Sequence, residues 1–202
     1  MEEIIGKASG LIVLGSVIPY SIRVYQRKTN PNLTSWAIWS FVGFAILLTY
    51  ASSGAKDNVW PAIFGFFNPL LVTTLILWRG RKIEKPNNME LICIGIAVLS
   101  IIFWIFVRGD VFLYQYANYI AIVADGCAAI PTIFYYFKEP HEDRPFAWVM
   151  YAIGYGLAIF AVTEPTIANY ALLLYMFFGT LFISMPLIFY RIRNKIPLKE
   201  YI

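Results

Sequence analysis

The run YIAIVADGCAAIPTIFYYF, residues 119–137, holds one carboxylate, Asp125, with Arg108 the nearest basic residue before it and Lys138 the nearest after it. An ionisable group at the centre of an apolar membrane helix costs roughly 2.5–3.5 kcal/mol on insertion scales, and groups kept at that cost are as a rule functional. The chemistry open to this one is proton exchange. Apolar surroundings favour the neutral acid and water favours the carboxylate, so a site that alternates between the two takes up and releases a proton. A second polar group stands in a second apolar run. Asn68 precedes Pro69 in FFNPLL, which sets an amide that both donates and accepts beside a proline that frees a backbone carbonyl. Asn68 and Asp125 are the leading candidates for binding a polar solute. Tyr20, Trp60, Tyr116 and Tyr119 are the aromatic side chains expected to face a cavity and stack on it.

Other chemistries find no residues. There is no Ser-His-Asp set, no phosphate loop and no metal cluster. The single histidine, His141, lies in a polar loop beside acids, and Cys93 and Cys127 each lie inside an apolar run without disulfide or zinc spacing. No lysine falls between residues 145 and 190 to carry retinal. The chain is therefore read as a non-enzyme with no metal and no cofactor. Its net charge of +4 does not point to nucleic acid, because the basic residues gather at the ends of apolar runs, which is a membrane pattern.

The elements that must position these side chains are membrane spans. Hydrophobic residues make up 59% of the chain and charged residues 14%, against about 25% charged in soluble domains. Apolar runs between polar breaks number seven, at roughly 4–25, 33–52, 58–79, 88–107, 110–137, 146–163 and 166–190. The sixth is short and glycine-rich. The breaks are turn clusters such as QRKTNPN, SSGAKDN and KEPHEDRP. Thirteen of the sixteen Lys and Arg residues fall in the loops at 23–32, 79–88 and 138–145 and in the tail after 190; only Lys7, Lys56 and Arg108 fall on the other side. That bias predicts an outside N-terminus, a cytoplasmic C-terminus and an odd number of spans. On this map Asn68 and Asp125 both lie near the bilayer midplane. Trp36, Trp39, Tyr50, Trp60, Trp78, Trp104, Tyr151 and Tyr155 fall mostly near the interfaces, where aromatic residues form belts.

The chain also repeats itself. A shift of 112 residues lays VIPYSIRVYQ with LTSWAIW over AIPTIFYYFK with PFAWVMY, matching Pro19 to Pro131, Trp36 to Trp148 and Trp39 to Tyr151. Further on a shift of 117 lays NPLL over MPLI, matching Pro69 to Pro186. Each proline removes a helical hydrogen bond, and the four are candidate hinges. The organisation that follows is an all-α integral membrane protein of seven transmembrane helices, arranged 3+1+3. Residues 1–85 form a first three-helix bundle, 86–109 a linker span, and 110–202 a second bundle, parallel to the first, with a cytoplasmic tail.

Three spans, one span and three spans, an outside N-terminus, and a proline in the first span followed by a basic loop and then SW resemble the PQ-loop superfamily, which includes the SWEET and SemiSWEET sugar transporters. The resemblance covers nearly the whole chain. Lysosomal amino-acid exporters, vitamin transporters of the PnuC type and the KDEL receptor are similar in architecture. The family's Pro-Gln dipeptide falls here on Pro19-Tyr20 and Pro131-Thr132. Neither 33–52 nor 146–163 carries the further proline usual in SWEET proteins. The asparagine that SWEET proteins take from the third span of each half is matched by Asn68, and the second half offers Thr180 at the shift of 112 or Met185 at 117, so the pair is broken. The resemblance implies a small-solute transporter of the plasma membrane that works by alternating access, with a sugar, amino acid or vitamin-like polar solute bound between the bundles and with proton coupling. It implies Tyr20, Trp60 and Thr180 as cavity lining around Asn68 and Asp125. The alternative within the same fold is a receptor that binds a ligand and does not carry it, as in the KDEL receptor.

Overall fold

The seven apolar runs become seven α-helices: α1 Glu2–Tyr25, α2 Leu33–Ser52, α3 Trp60–Trp78, α4 Asn88–Phe106, α5 Val111–Lys138, α6 Phe146–Ala158 and α7 Ile167–Arg193. The computed structural model describes residues 1–28, 32–80, 82, 85–107 and 109–202; Arg81 and Arg108, two of the basic residues weighed above, lie outside the described residues. Among the described residues there is no strand. Six of the helices, α3 taken together with the 3-10 turn Asp57–Val59, are long and apolar enough to cross a membrane. The sixth, α6, has 13 residues and runs on as a 3-10 turn at Ile159–Ala161.

Polar side chains start the helices where the sequence breaks. The Asn32 side chain accepts from Ser35 N at the head of α2, Asp110 accepts from Phe112 N and Leu113 N at the head of α5, and Thr166 accepts from Asn169 N at the head of α7. Asn87 and Glu90 form a reciprocal capping box on α4. Glu90 also accepts from Ser35 Oγ at 2.8 Å, which ties the head of α4 to the head of α2. Pro19, Pro69, Pro131 and Pro186 lie inside α1, α3, α5 and α7, each of which continues through its proline.

α3 packs between α1 and α2, and α7 packs against both α5 and α6. The two groups meet where α1 packs on α6 and α2 packs on α5, while α4 lies against α2 and α5. The α1–α6 seam is a backbone approach. A methyl group on Gly154 would sit 2.5 Å from Val13 Cγ2 and 3.0 Å from Ser9 O, closer than any larger residue allows, as small residues permit in membrane helix pairs. Contacts between loops sort the molecule into two ends. One gathers the finishes of α1, α3, α5 and α7, where Arg79 donates to Val24 O and Arg144 pairs with Glu200 at 2.9 Å. The other gathers the finishes of α2, α4 and α6, where Trp104 Nε1 donates to Ser52 Oγ at 2.8 Å and Lys56 pairs with Glu164 at 2.6 Å.

Candidate functional site

A cavity of about 540 Å³ lies between the two groups of helices, lined from α1, α2 and α3 on one side and α5, α6 and α7 on the other. No residue of α4 contributes to it. It opens at the end that gathers the finishes of α1 and α5, where the lining residues Asn32, Tyr135 and Glu142 are exposed, and it ends blind against Ile46, Ala62 and Tyr155, which are buried.

Its deep polar groups are Asn68, Tyr151, Ser16, Asp125 and Tyr175. Asn68 is 1% exposed. Its Nδ2 donates to Val13 O at 2.7 Å and to Tyr151 Oη at 3.1 Å, and lies 3.4 Å from Ser16 Oγ. Its Oδ1 is buried and accepts no hydrogen bond among the described residues, an arrangement that leaves acceptor capacity unused at the cavity wall. Asp125 is half-buried and lines the cavity. Tyr175 Oη donates to its Oδ2 at 2.7 Å. Among the described residues no Lys, Arg or His lines the cavity.

The structure brings Tyr20, Asn68, Asp125 and Thr180 together on one cavity wall or another. The Thr180 hydroxyl is turned onto Met176 O of its own helix at 2.6 Å, which leaves it able to accept but not to donate. Trp60 stands elsewhere. At the head of α3, its ring packs on Phe64 at 6.5 Å and lies against Gly6, where an added methyl would come within 3.4 Å of Trp60 Cδ1, while its Cβ fits the notch of Gly10, where an added methyl would come within 2.8 Å. The small residues of α1 draw this indole into a helix–helix seam and away from the cavity. Tyr116 and Tyr119 also lie outside the cavity and pair with each other at 6.0 Å. Of the four prolines, Pro69 lines the cavity and Pro19 lines a crevice of about 20 Å³ beside its mouth.

Several aromatic residues read from the sequence as interface belts belong to the cavity instead. Trp36, Trp39, Tyr151 and Tyr155 all line it. Rings link across the mouth in series: Tyr20 to Trp36 at 5.1 Å, Trp36 to Trp39 at 5.4 Å, Trp39 to Trp148 at 6.4 Å and Trp148 to Tyr136 at 6.1 Å. Trp36 and Trp148 are repeat-related, as are Trp39 and Tyr151, so the repeat was the signal that could have moved them from belt to cavity. Tyr175 carried no such signal.

Below the mouth a buried arginine, counted from the sequence as a basic residue of the tail, holds the loop and tail together. Arg191 is 4% exposed. It donates to the carbonyls of Pro140, Asp143, Leu187 and Glu200 at 2.6–3.2 Å. The Asp143 carboxylate accepts in turn from Tyr136 Oη at 2.8 Å and Trp148 Nε1 at 3.1 Å. The opposite end is sealed differently. Tyr50 Oη donates to Asn169 O at 2.8 Å and accepts from Asn58 Nδ2 at 2.5 Å. Tyr155 Oη donates to Pro61 O at 3.2 Å, and the Lys56–Glu164 pair lies outside these bonds. Glu164 beside it holds the Lys56 ammonium above the ordinary lysine range.

The site can hydrogen-bond, stack and exchange a proton. Among the described residues no group of three or more His, Cys, Asp or Glu is placed to hold a metal ion. Comparison of the chain with family models, with curated proteins and with solved structures gave no match.

Proposed function

We propose that the chain is a small-solute transporter of the plasma membrane, working by alternating access, with PQ-loop-like architecture. The observation that carries this is a cavity between two groups of three helices, open at one end and closed at the other by named hydrogen bonds. A solute site reached from one side only is what alternating access requires of each of its two states. The packing supports a 3+1+3 arrangement of two parallel bundles with α4 as linker. If α1 corresponds to α5 and α2 to α6, the contact of α1 with α6 becomes that of α5 with α2, and both are present. The charge bias of thirteen to three makes the open end cytoplasmic, so the state described is inward-facing. Pro19 and Pro131 occupy equivalent places in the two bundles and serve as hinges. Asp125 is the proton-exchanging group, and Asn68 binds the solute.

Reconstitution into liposomes tests the reading. Labelled sugars, amino acids and vitamin-like solutes are offered on one side with a pH gradient, and uptake is compared with empty liposomes. Asp125→Asn should lose accumulation driven by the gradient. Pro19→Ala or Pro131→Ala should slow flux more than it weakens binding. Saturable binding with no flux of any bound solute would make the protein a receptor. Cysteines placed at Lys56 and Lys82 should label from opposite sides; labelling of both from one side would sink the seven-span map.

A further inference from the structure

The cavity lining has a charge and a ring composition that select among solutes. Nine of its residues are aromatic, and all nine are Tyr or Trp. The chain has 16 Phe and none of them lines the cavity. Tyr and Trp present electron-rich faces to a cation and carry a polar handle that Phe lacks. Three carboxylates face the same space, and no cation among the described residues does.

The three carboxylates are not equivalent. Asp143 is occupied by Tyr136, Trp148 and the Arg144 amide, and Arg23 and Arg144 line the crevice beside it. Glu142 lies at the exposed mouth, 3.2 Å from His141 Nε2. Asp125 lies deep and is held by the Tyr175 hydroxyl. The titratable groups around it are Tyr175 on α7, Tyr151 and Tyr155 on α6, Cys93 on α4 and Cys127 on its own helix, and none of them is a cation. A carboxylate among tyrosines, in one cavity with an asparagine whose buried Oδ1 accepts no hydrogen bond among the described residues, is a receptor for a positively charged donor group. A zwitterion or an anion would bring a carboxylate that no lining cation among the described residues pairs.

We infer that the solute is an organic cation with an aromatic or apolar body, held by Asp125 and the tyrosines around it, and that it binds in place of a proton. The inference rests on the reading of this cavity as the solute site. When the cation arrives, the Asp125 O–H bond breaks, the electron pair stays on the carboxylate and the proton leaves to water at the mouth. One carboxylate that accepts either cation, never both, makes proton and solute exchange partners, since each lowers the affinity for the other.

The test uses the full chain in detergent, titrated calorimetrically with benzyltrimethylammonium, benzyl alcohol and benzoate. The three share a ring and differ in charge. The cation should bind saturably and at least about ten-fold more tightly than the alcohol, as a ring-and-carboxylate site predicts, while benzoate should not bind. Runs in buffers of different ionisation enthalpy should show proton release that grows as pH is lowered, with affinity falling in step. Asp125→Asn should abolish both the preference and the release, and Asp125→Glu should keep both. Tyr175→Phe, which leaves the carboxylate in place, should move the pH midpoint of cation binding and keep the preference. No saturable cation binding at millimolar concentration, equal binding of alcohol and cation, or an unchanged preference in Asp125→Asn would each overturn the inference. Liposome exchange of the same probe reads transport separately. A cation preference without flux would remove the transporter reading and leave this one, and flux of neutral solutes without a cation preference would do the reverse.

Discussion

At the closed end of the cavity Tyr50, Asn58 and Asn169 meet through directional hydrogen bonds at 2.5 and 2.8 Å, whereas at the mouth three tryptophans and two tyrosines meet through ring faces and edges 5.1–6.4 Å apart. The difference matters for how each end can move. A buried hydrogen bond is made or lost within a few tenths of an ångström, and losing it leaves both groups unsatisfied. Ring contacts tolerate sliding over a broad range of centroid distances and angles. On the proposed alternating-access reading, the closed end is a two-position fastener and the mouth a deformable collar. The collar nonetheless has directional anchors: Tyr136 and Trp148 donate to Asp143, and the hydrogen bonds of Arg191 fix the 139–145 loop to the tail.

The comparison is broken most severely at Arg191. Arg191→Met keeps the buried volume and strands the three loop and tail carbonyls of Pro140, Asp143 and Glu200, so stability should fall by about 3 kcal/mol, read as a lower Tm in detergent together with faster proteolysis in the 139–145 loop. An unchanged Tm would show that the mouth holds without this anchor. Tyr50→Phe comes next. It deprives Asn58 Nδ2 and Asn169 O of their partner at once, with a cost of about 2 kcal/mol, and a cysteine at Ala62 should then label from the Lys56 side. If labelling there stays as slow as in the parent, the fastener lies elsewhere. Trp148→Phe sharpens the contrast. It keeps a ring and loses the bond to Asp143, so about 1 kcal/mol is expected with the mouth still able to close.

The smallest effect belongs to Lys56→Gln. The pair with Glu164 is exposed at both partners and should leave Tm within error. Its pH dependence follows from the sign of the shift. The Lys56 ammonium is held above its ordinary range in the folded chain, so the pair contributes at and below the ordinary lysine range and is lost as pH rises through the raised value. Labelling at Ala62 should be flat through neutral pH and increase only in strong alkali, with the increase absent in Lys56→Gln. A change near neutrality would point to a different group at this end.

The spans were legible because length and polar breaks are read from order along the chain. The run expected at 4–25 is α1 Glu2–Tyr25, and that at 33–52 is α2 with the same limits. The polar candidates Asn68 and Asp125 were legible because each interrupts a stretch of apolar residues. The aromatic lining was not. Trp36 and Tyr151 have one apolar body and one polar tip, which suits a lipid headgroup boundary and a wet cavity equally, so residue type does not separate the two. Facing was hidden for a related reason. A helix with lipid on one side and protein on the other is apolar all round, and nothing in its periodicity told that Trp60 turns to Gly10 while Tyr175 turns to Asp125. Arg191 was misjudged because a basic residue at a span end ordinarily reaches water, and here it reaches carbonyls.

The shortness of α6 has a consequence for the lipid around it. Its 13 helical residues and three 3-10 residues rise about 26 Å, less than the roughly 30 Å of hydrocarbon in an ordinary bilayer. The 27 residues of α7 beside it rise about 40 Å. Ile153 and Phe160 of this short segment face outward, so on the proposed seven-span map the annulus of lipid thins locally along one flank of the molecule and not along the other. Such a lopsided hydrophobic mismatch costs a fraction of a kcal/mol per ångström. On the proposed alternating-access reading, the balance between the two access states is tied to acyl-chain length, with short-chain bilayers favouring whichever state keeps α6 upright.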